Sequence, residues 1–270
     1  VQRRRTRVWA LPFDQTLGAL TGRGAPVTSG GPGEFDVAAP TDGSRVAFRT
    51  TRGGQQEVWE RLVDGGRERL LGVSRDSRAT SPRWSPDGRQ LAYLRRPVRT
   101  AGAVRAASIG ILAPTSGEER LLSIPAGTEA VPDDWSADGG TLLVACRTGE
   151  SPFGICVMPV DGAGASAMRI LASDPKRRLL SPRFSPNQRW ISFMAVERDK
   201  ASASKLYVMP ATGGDWIPIT DGRSYDDKPR WSADGRAGYF VSDRAGVTNI
   251  WGQRGDPATQ RQRAGIAHED

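Results

Sequence analysis

Histidine is almost missing. The 270-residue chain has one, His268, in a polar stretch at its far end. A Ser-His-Asp site needs a histidine held by packing beside an acid and a nucleophile. No Gly-x-Ser-x-Gly elbow accompanies it; Gly164-Ala165-Ser166-Ala167-Met168 fails at its last position. No enzyme of peptidase type is expected from these residues. Cysteines number two, Cys146 and Cys156, too few with one histidine for a His/Cys zinc site. No apolar run approaches the roughly 18 residues of a membrane span. Gly30-Gly31-Pro32-Gly33 has no lysine after it, so it does not read as a phosphate loop. The chain begins with Val1 and no leader pattern follows, so it is expected to be a processed product or part of something longer.

Glycine and proline are plentiful, at 32 and 19. They are placed with a purpose. In Ser81-Pro82-Arg83-Trp84-Ser85-Pro86-Asp87-Gly88 the proline presets φ for a turn, the aspartate can bond the local backbone, and the glycine takes a left-handed position. Apolar residues flank the turn, giving strand, turn, strand. The unit recurs as Trp135-Ser136-Ala137-Asp138-Gly139, Phe184-Ser185-Pro186-Asn187-Gln188 and Trp231-Ser232-Ala233-Asp234-Gly235, with a weaker copy at Ala39-Pro40-Thr41-Asp42-Gly43. The turn acids or amides stand at 42, 87, 138, 187 and 234, spaced by 45, 51, 49 and 47 residues. Short strands repeating every 40–50 residues or so indicate propeller blades.

Each hairpin precedes a third apolar run and, in four repeats, a fourth. The expected fold is therefore all-β: a β-propeller of four-stranded antiparallel blades, with five full repeats at 34–72, 77–123, 129–173, 177–221 and 224–262. Residues 1–30 carry Val8–Pro12 and Ala25–Thr28, which read as the outer half of a sixth blade. Residues 255–270 read as a polar tail. The repeats favour one domain over 1–270. The large ring before each turn reads as interblade packing.

These residues resemble the TolB-type, WD-like repeat of bacterial β-propellers. Pro82-Arg83-Trp84-Ser85-Pro86-Asp87-Gly88 with its copies, and Ser242-Asp243-Arg244 before Asn249-Ile250-Trp251, carry the resemblance. It covers about residues 34–253 and is most similar to propellers fused to bacterial kinases or winged-helix regulators. It implies a non-enzymatic, periplasmic or extracytoplasmic propeller that binds a protein, a peptide or a small ligand. Cytoplasmic residence is the other reading. Two further readings are a substrate-gating propeller of a prolyl-oligopeptidase-like peptidase whose catalytic domain lies elsewhere, and a channel-centred metal enzyme.

The net charge is +8 and the pI about 10.1. The basic residues are scattered and arginine far outnumbers lysine, so no nucleic-acid partner is expected. Polar residues gather just before the inner strands: Glu34 and Asp36, Asp133 and Asp134, Asp226 and Asp227. Arg83, Arg183 and Arg230 share one repeat position, and Asp134 occupies it in the third repeat. Seven residues, Arg83, Arg183, Arg230, Asp133, Asp134, Asp226 and Asp227, are the candidates for a ligand site at the channel mouth. Salt bridges between blades would use the same residues. No catalytic residue, cofactor or resident metal is assigned. Cys146 and Cys156 fall on adjacent strands. A hairpin symmetric about Ser151 would set them opposite each other as a disulfide; two small buried apolar side chains is the other reading.

Overall fold

The computed structural model describes residues 5–14, 19–71, 77–98, 106–161, 167–199 and 202–255. Among them there is no α-helix, and the strands form a five-bladed propeller. Blade I comprises Phe35–Ala38, Arg45–Thr50, Glu57–Leu62 and Arg69–Leu71. Blade II comprises Ser77–Trp84, Leu91–Pro97, Ser108–Ala113 and Glu118–Ser123. Blade III comprises Thr128–Trp135, Thr141–Thr148, Gly154–Pro159 and Arg169–Ala172. Blade IV comprises Arg177–Phe184, Trp190–Glu197, Ser204–Pro210 and Ile217–Pro218. Blade V has three strands among the described residues: Asp226–Trp231, Ala237–Ser242 and Asn249–Arg254. The end of the fifth repeat and His268 lie outside the described residues.

The turn chemistry explains why four of the five blades share one first hairpin. Gly88 N–H donates to the Ser85 carbonyl at 2.9 Å, and Ser85 Oγ donates to Asp87 Oδ1 at 2.6 Å. Asp87 Oδ1 also accepts Arg89 N–H, and Ser85 Oγ accepts Gln90 N–H. The network recurs around Ser136/Asp138, Ser185/Asn187 and Ser232/Asp234. Gly43, Gly88, Gly139 and Gly235 have φ of +63° to +70°, where a Cβ is unfavourable; Gln188 takes that conformation in blade IV. The serine and backbone bonds hold the Asp87, Asp138 and Asp234 carboxyls below their ordinary range.

Packing is between blades. Ala47 and Val58 of blade I meet Ala79, Trp84, Leu91 and Tyr93 of blade II. Ile109 and Ile111 of blade II meet Trp135, Leu142 and Val144 of blade III. Leu143 and Ile155 meet Leu179, Ile191 and Phe193 across the next interface, and Met194 and Leu206 meet Phe240 across the last. Both faces of a blade are thus covered, which is why its middle strands are apolar runs without strict alternation. The indole N–H groups of Trp135 and Trp231 reach back to the Arg83 and Arg183 carbonyls at 3.0 and 3.3 Å.

The N-terminal segment is a two-stranded ribbon. Arg5–Thr6 pairs with Gly31–Pro32, Trp9–Ala10 with Ala25–Pro26, and Phe13–Asp14 with Ala19–Leu20. Its Val8 and Val27 cover Val46 and Phe48 of blade I. At the other end the Phe13 ring meets the edge of Tyr239 in blade V, with centroids 5.0 Å apart. The ribbon therefore touches both the first and the last blade.

Blade V departs from the pattern at Gly238. Counted from the turn, this position is Val46, Leu91, Leu142 and Ile191 in the other blades, each buried. Glycine there lines a shallow cleft between blades IV and V, open to solvent and bordered by Leu206, Tyr207, Trp231 and Phe240. A Cβ on Gly238 would find its nearest neighbour, the Arg230 carbonyl oxygen, at 3.9 Å. Gly238→Ile should fill the cleft and restrict the unfolded chain, raising stability by about 1–2 kcal/mol. Urea unfolding checks this; a lower midpoint would mean the cleft cannot accept the side chain.

Cys146 and Cys156 are bonded, with Cα atoms 5.9 Å apart. The hairpin register differs from the expected one. Cys146 faces Gly154 and Val144 faces Cys156, so the cysteines are diagonal neighbours on one face. The hairpin is centred one residue earlier than Ser151. Glycine at 154 lets the fourth strand approach, since a Cβ there would stand 2.6 Å from the Ala172 carbonyl oxygen. The closed loop is short, so the bond should contribute about 2–3 kcal/mol. Denatured, unreduced protein should show no free thiol with Ellman's reagent; two free thiols would remove the bridge from the account.

Candidate functional site on the propeller axis

The inner strand of every blade is bulged at the same step. The register shifts between Phe35 and Ala38, Thr80 and Arg83, Pro132 and Asp134, Leu180 and Arg183, and Asp227 and Arg230. In four blades the bulge holds a non-glycine residue at positive φ: Asp36, Ser81, Ser181 and Lys228, at +53° or +54°. Proline follows in three of them, as Pro82, Pro182 and Pro229. A bulge suits proline because the ladder there needs no N–H, and it redirects the next side chain. The next residue is Arg83, Arg183 or Arg230, and Asp134 in blade III. These residues lie inside the inner strands rather than in loops ahead of them, a correction to the sequence reading. The strands simply start earlier than the apolar pattern shows.

The bulges bring five of the seven candidates together. Arg83 Nε donates to the Asp133 carbonyl oxygen at 2.6 Å, and its Nη2 pairs with Asp133 Oδ1 at 3.3 Å. Its Nη1 donates to the Pro82 carbonyl at 2.7 Å. Asp134 Oδ2 accepts the Phe184 N–H at 2.9 Å, while its Oδ1 stands 3.9 Å from Arg183 Nη1. Arg183 is buried, and its Nε has no partner. Arg230 Nη1 donates to the Pro229 carbonyl at 3.0 Å. Asp227 stands beside this group, hydrogen-bonded to Lys228 N–H and 3.5 Å from its Nζ.

Charge in this enclosed space is not fully balanced. Burial, then Arg230 and Arg83, push the Arg183 pKa well below its ordinary value, against Asp134 and Asp133. Burial and Arg83 lower that of Arg230. Arg230 is nevertheless exposed to solvent. Water also reaches about 30% of the Asp134 side chain. Even so, burial raises its pKa, with Arg183 opposing and Phe184 N–H second among the opposing causes. Guanidinium groups stay protonated, so three positive charges from blades II, IV and V share the axis with Asp133 and Asp134.

The remaining candidate is elsewhere. Asp226 is fully buried and pairs with Arg244 at 2.9 Å, and its backbone exchanges bonds with Ser204. Asp227 is the next residue, and successive strand residues face opposite ways. Glu34 and Asp36 also serve local pairs, with Arg52 and Arg49. Among the described residues no group of three or more His, Cys, Asp and Glu is placed to hold a metal ion. No helix of the described residues is long and apolar enough to cross a membrane.

A ring of antiparallel blades around a polar axis defines the class: a β-propeller. No family model matches the chain. It is similar in structure to a TolB from Agrobacterium tumefaciens, with a TM-score of 0.67 and 19% identity over 86% of this chain and 80% of that one. TolB from Acinetobacter baumannii superposes with a TM-score of 0.69 at 15% identity, over 87% of this chain and 56% of the other. A puromycin hydrolase superposes at 0.63 and 20% identity, over 85% of this chain and 38% of that enzyme. In sequence the chain is 29% identical to the uncharacterized peptidase YuxL of Bacillus subtilis over 62% of its length, and it spans 31% of that relative.

Proposed function

We propose that the chain is a non-enzymatic binding or sensing propeller of a larger bacterial protein, and that a protein or peptide segment enters the axial channel at the arginine-aspartate group. The observation that supports this reading is the bulge that recurs in every blade, directly ahead of Arg83, Asp134, Arg183 and Arg230 in four of them. A surface salt bridge needs no such repeated backbone strain. A mixed ring suits an extended segment with acidic and basic groups, and inner-strand edges can add backbone bonds. Hydrogen exchange tests it. A bound partner should slow amides flanking Arg83, Asp134, Arg183 and Arg230; slowing confined to the outer strands at 118–123 and 169–172 would move the site to the rim.

Gating for a peptidase is the second reading, and YuxL and the puromycin hydrolase are what favour it. In that reading the same channel admits substrate and the chemistry belongs to another domain. We further propose that the ribbon is the outer half of a sixth blade. Ile250 supports this: it is 65% exposed, while Val58, Ile109, Ile155 and Leu206 at the same register are at most 2% exposed under the following blade. The Cys146–Cys156 bond supports an extracytoplasmic setting, since such bonds persist in oxidising compartments.

A further inference from the structure

We infer that the ligand presents an anionic oxygen group, a carboxylate or a phosphate, to the guanidinium groups of Arg183 and Arg230. The inference rests on the axial-channel reading above and adds the chemistry of the group that is held. Three arginines occupy the site, and only Arg83 has protein acceptors for Nε, Nη1 and Nη2 alike. Arg83 spends its Nε, Nη1 and Nη2 on Asp133 and Pro82. Arg183 is 8% exposed, its Nε is unpartnered, and its one carboxylate neighbour stands at 3.9 Å. That separation is too long for a hydrogen bond. Asp134 is meanwhile engaged by the Phe184 N–H, which its Oδ2 accepts.

Arg230 has a carbonyl for its protein partner, not a carboxylate. Asp134, Asp133 and Asp227 act on it favourably, but each is bonded to another group: Asp133 to Arg83, Asp134 to the Phe184 N–H and Asp227 to Lys228. The depressed pKa of both arginines has the same meaning. The Arg183 Nε–H, buried with nothing to accept it, is costly unless a ligand oxygen does so, and the exposed Arg230 guanidinium beside it is open to the same ligand. Carboxylate and phosphate oxygens are the acceptors whose geometry matches the guanidinium fork, and bonds to them are charge-assisted.

Calorimetric titration with inorganic phosphate and with acetate, each against chloride at constant ionic strength, tests this without any partner. One of the two should bind saturably at one site, and Arg230→Gln should weaken it at least about tenfold. Arg89→Gln, at an exposed turn, should leave it unchanged. Saturation by phosphate alone points to a phosphorylated or free phosphate ligand, and saturation by acetate to an acidic side chain or chain end. If neither saturates, or if Arg230→Gln binds as wild type does, the inference is overturned. Arg230 is water-accessible, so its variant keeps the test valid even if Arg183→Gln fails to fold. Anion binding without any effect of Arg230 on partner capture would retain the anion site and discard the axial-channel function. Loss of capture without anion binding would do the reverse.

Discussion

Trp135→Ala is expected to lower unfolding free energy by about 3–5 kcal/mol, the range for truncating a large buried ring. The indole is 4% exposed and packs among Ile109, Ile111, Leu142 and Val144. It therefore belongs to two blades at once. Its N–H also holds the Arg83 carbonyl, at the step where the blade II inner strand bulges. Trp135→Phe keeps most of the apolar contact and loses that bond, so a loss of about 1 kcal/mol is expected. Trp231→Ala should cost less than Trp135→Ala, because Trp231 is half-buried beside the Gly238 cleft. Urea midpoints of the three variants check the order. Equal losses at 135 and 231 would mean that the cleft does not weaken the interface between blades IV and V.

The hairpins were readable in the sequence because their chemistry is short-range. Ser85, Asp87 and Gly88 specify their turn within a few residues, and four spacings then give the blade count. The bulges were not readable in the same way. Ser81-Pro82-Arg83, Ser181-Pro182-Arg183 and Lys228-Pro229-Arg230 stand in plain sight, but a bulge is a relation between two strands, and one strand does not state its register. Proline at the matching position in three inner strands was the available signal. The same limit explains Asp226 and Asp227, neighbours in sequence that face different ways. It also explains the cysteines, whose spacing suits a direct or a diagonal pairing equally well. Gly238 was legible in principle, as a glycine aligned with Val46, Leu91, Leu142 and Ile191. Its consequence, a cleft, depends on the facing blade.

The second large effect is on binding. Replacing both Arg183 and Arg230 with alanine should weaken capture of the partner at least about tenfold, since each charge-assisted bond contributes roughly 1.5–3 kcal/mol. The fold should survive. Arg183 makes one long ion pair at 3.9 Å, and losing it is offset by relief of repulsion from Arg83 and Arg230. The backbone carbonyl that receives Trp231 remains. Net charge falls by two in this variant, so a control must lose two charges elsewhere. Arg89 and Arg223 serve, with side chains 87% and 88% exposed. The deciding measurement is the affinity of a captured partner for three proteins: wild type, Arg183→Ala/Arg230→Ala and Arg89→Ala/Arg223→Ala, at one ionic strength. A channel site predicts a large loss in the first double variant, near wild-type affinity in the second, and similar unfolding midpoints for all three. Equal affinity across the three proteins would contradict it and send the search to the blade rims.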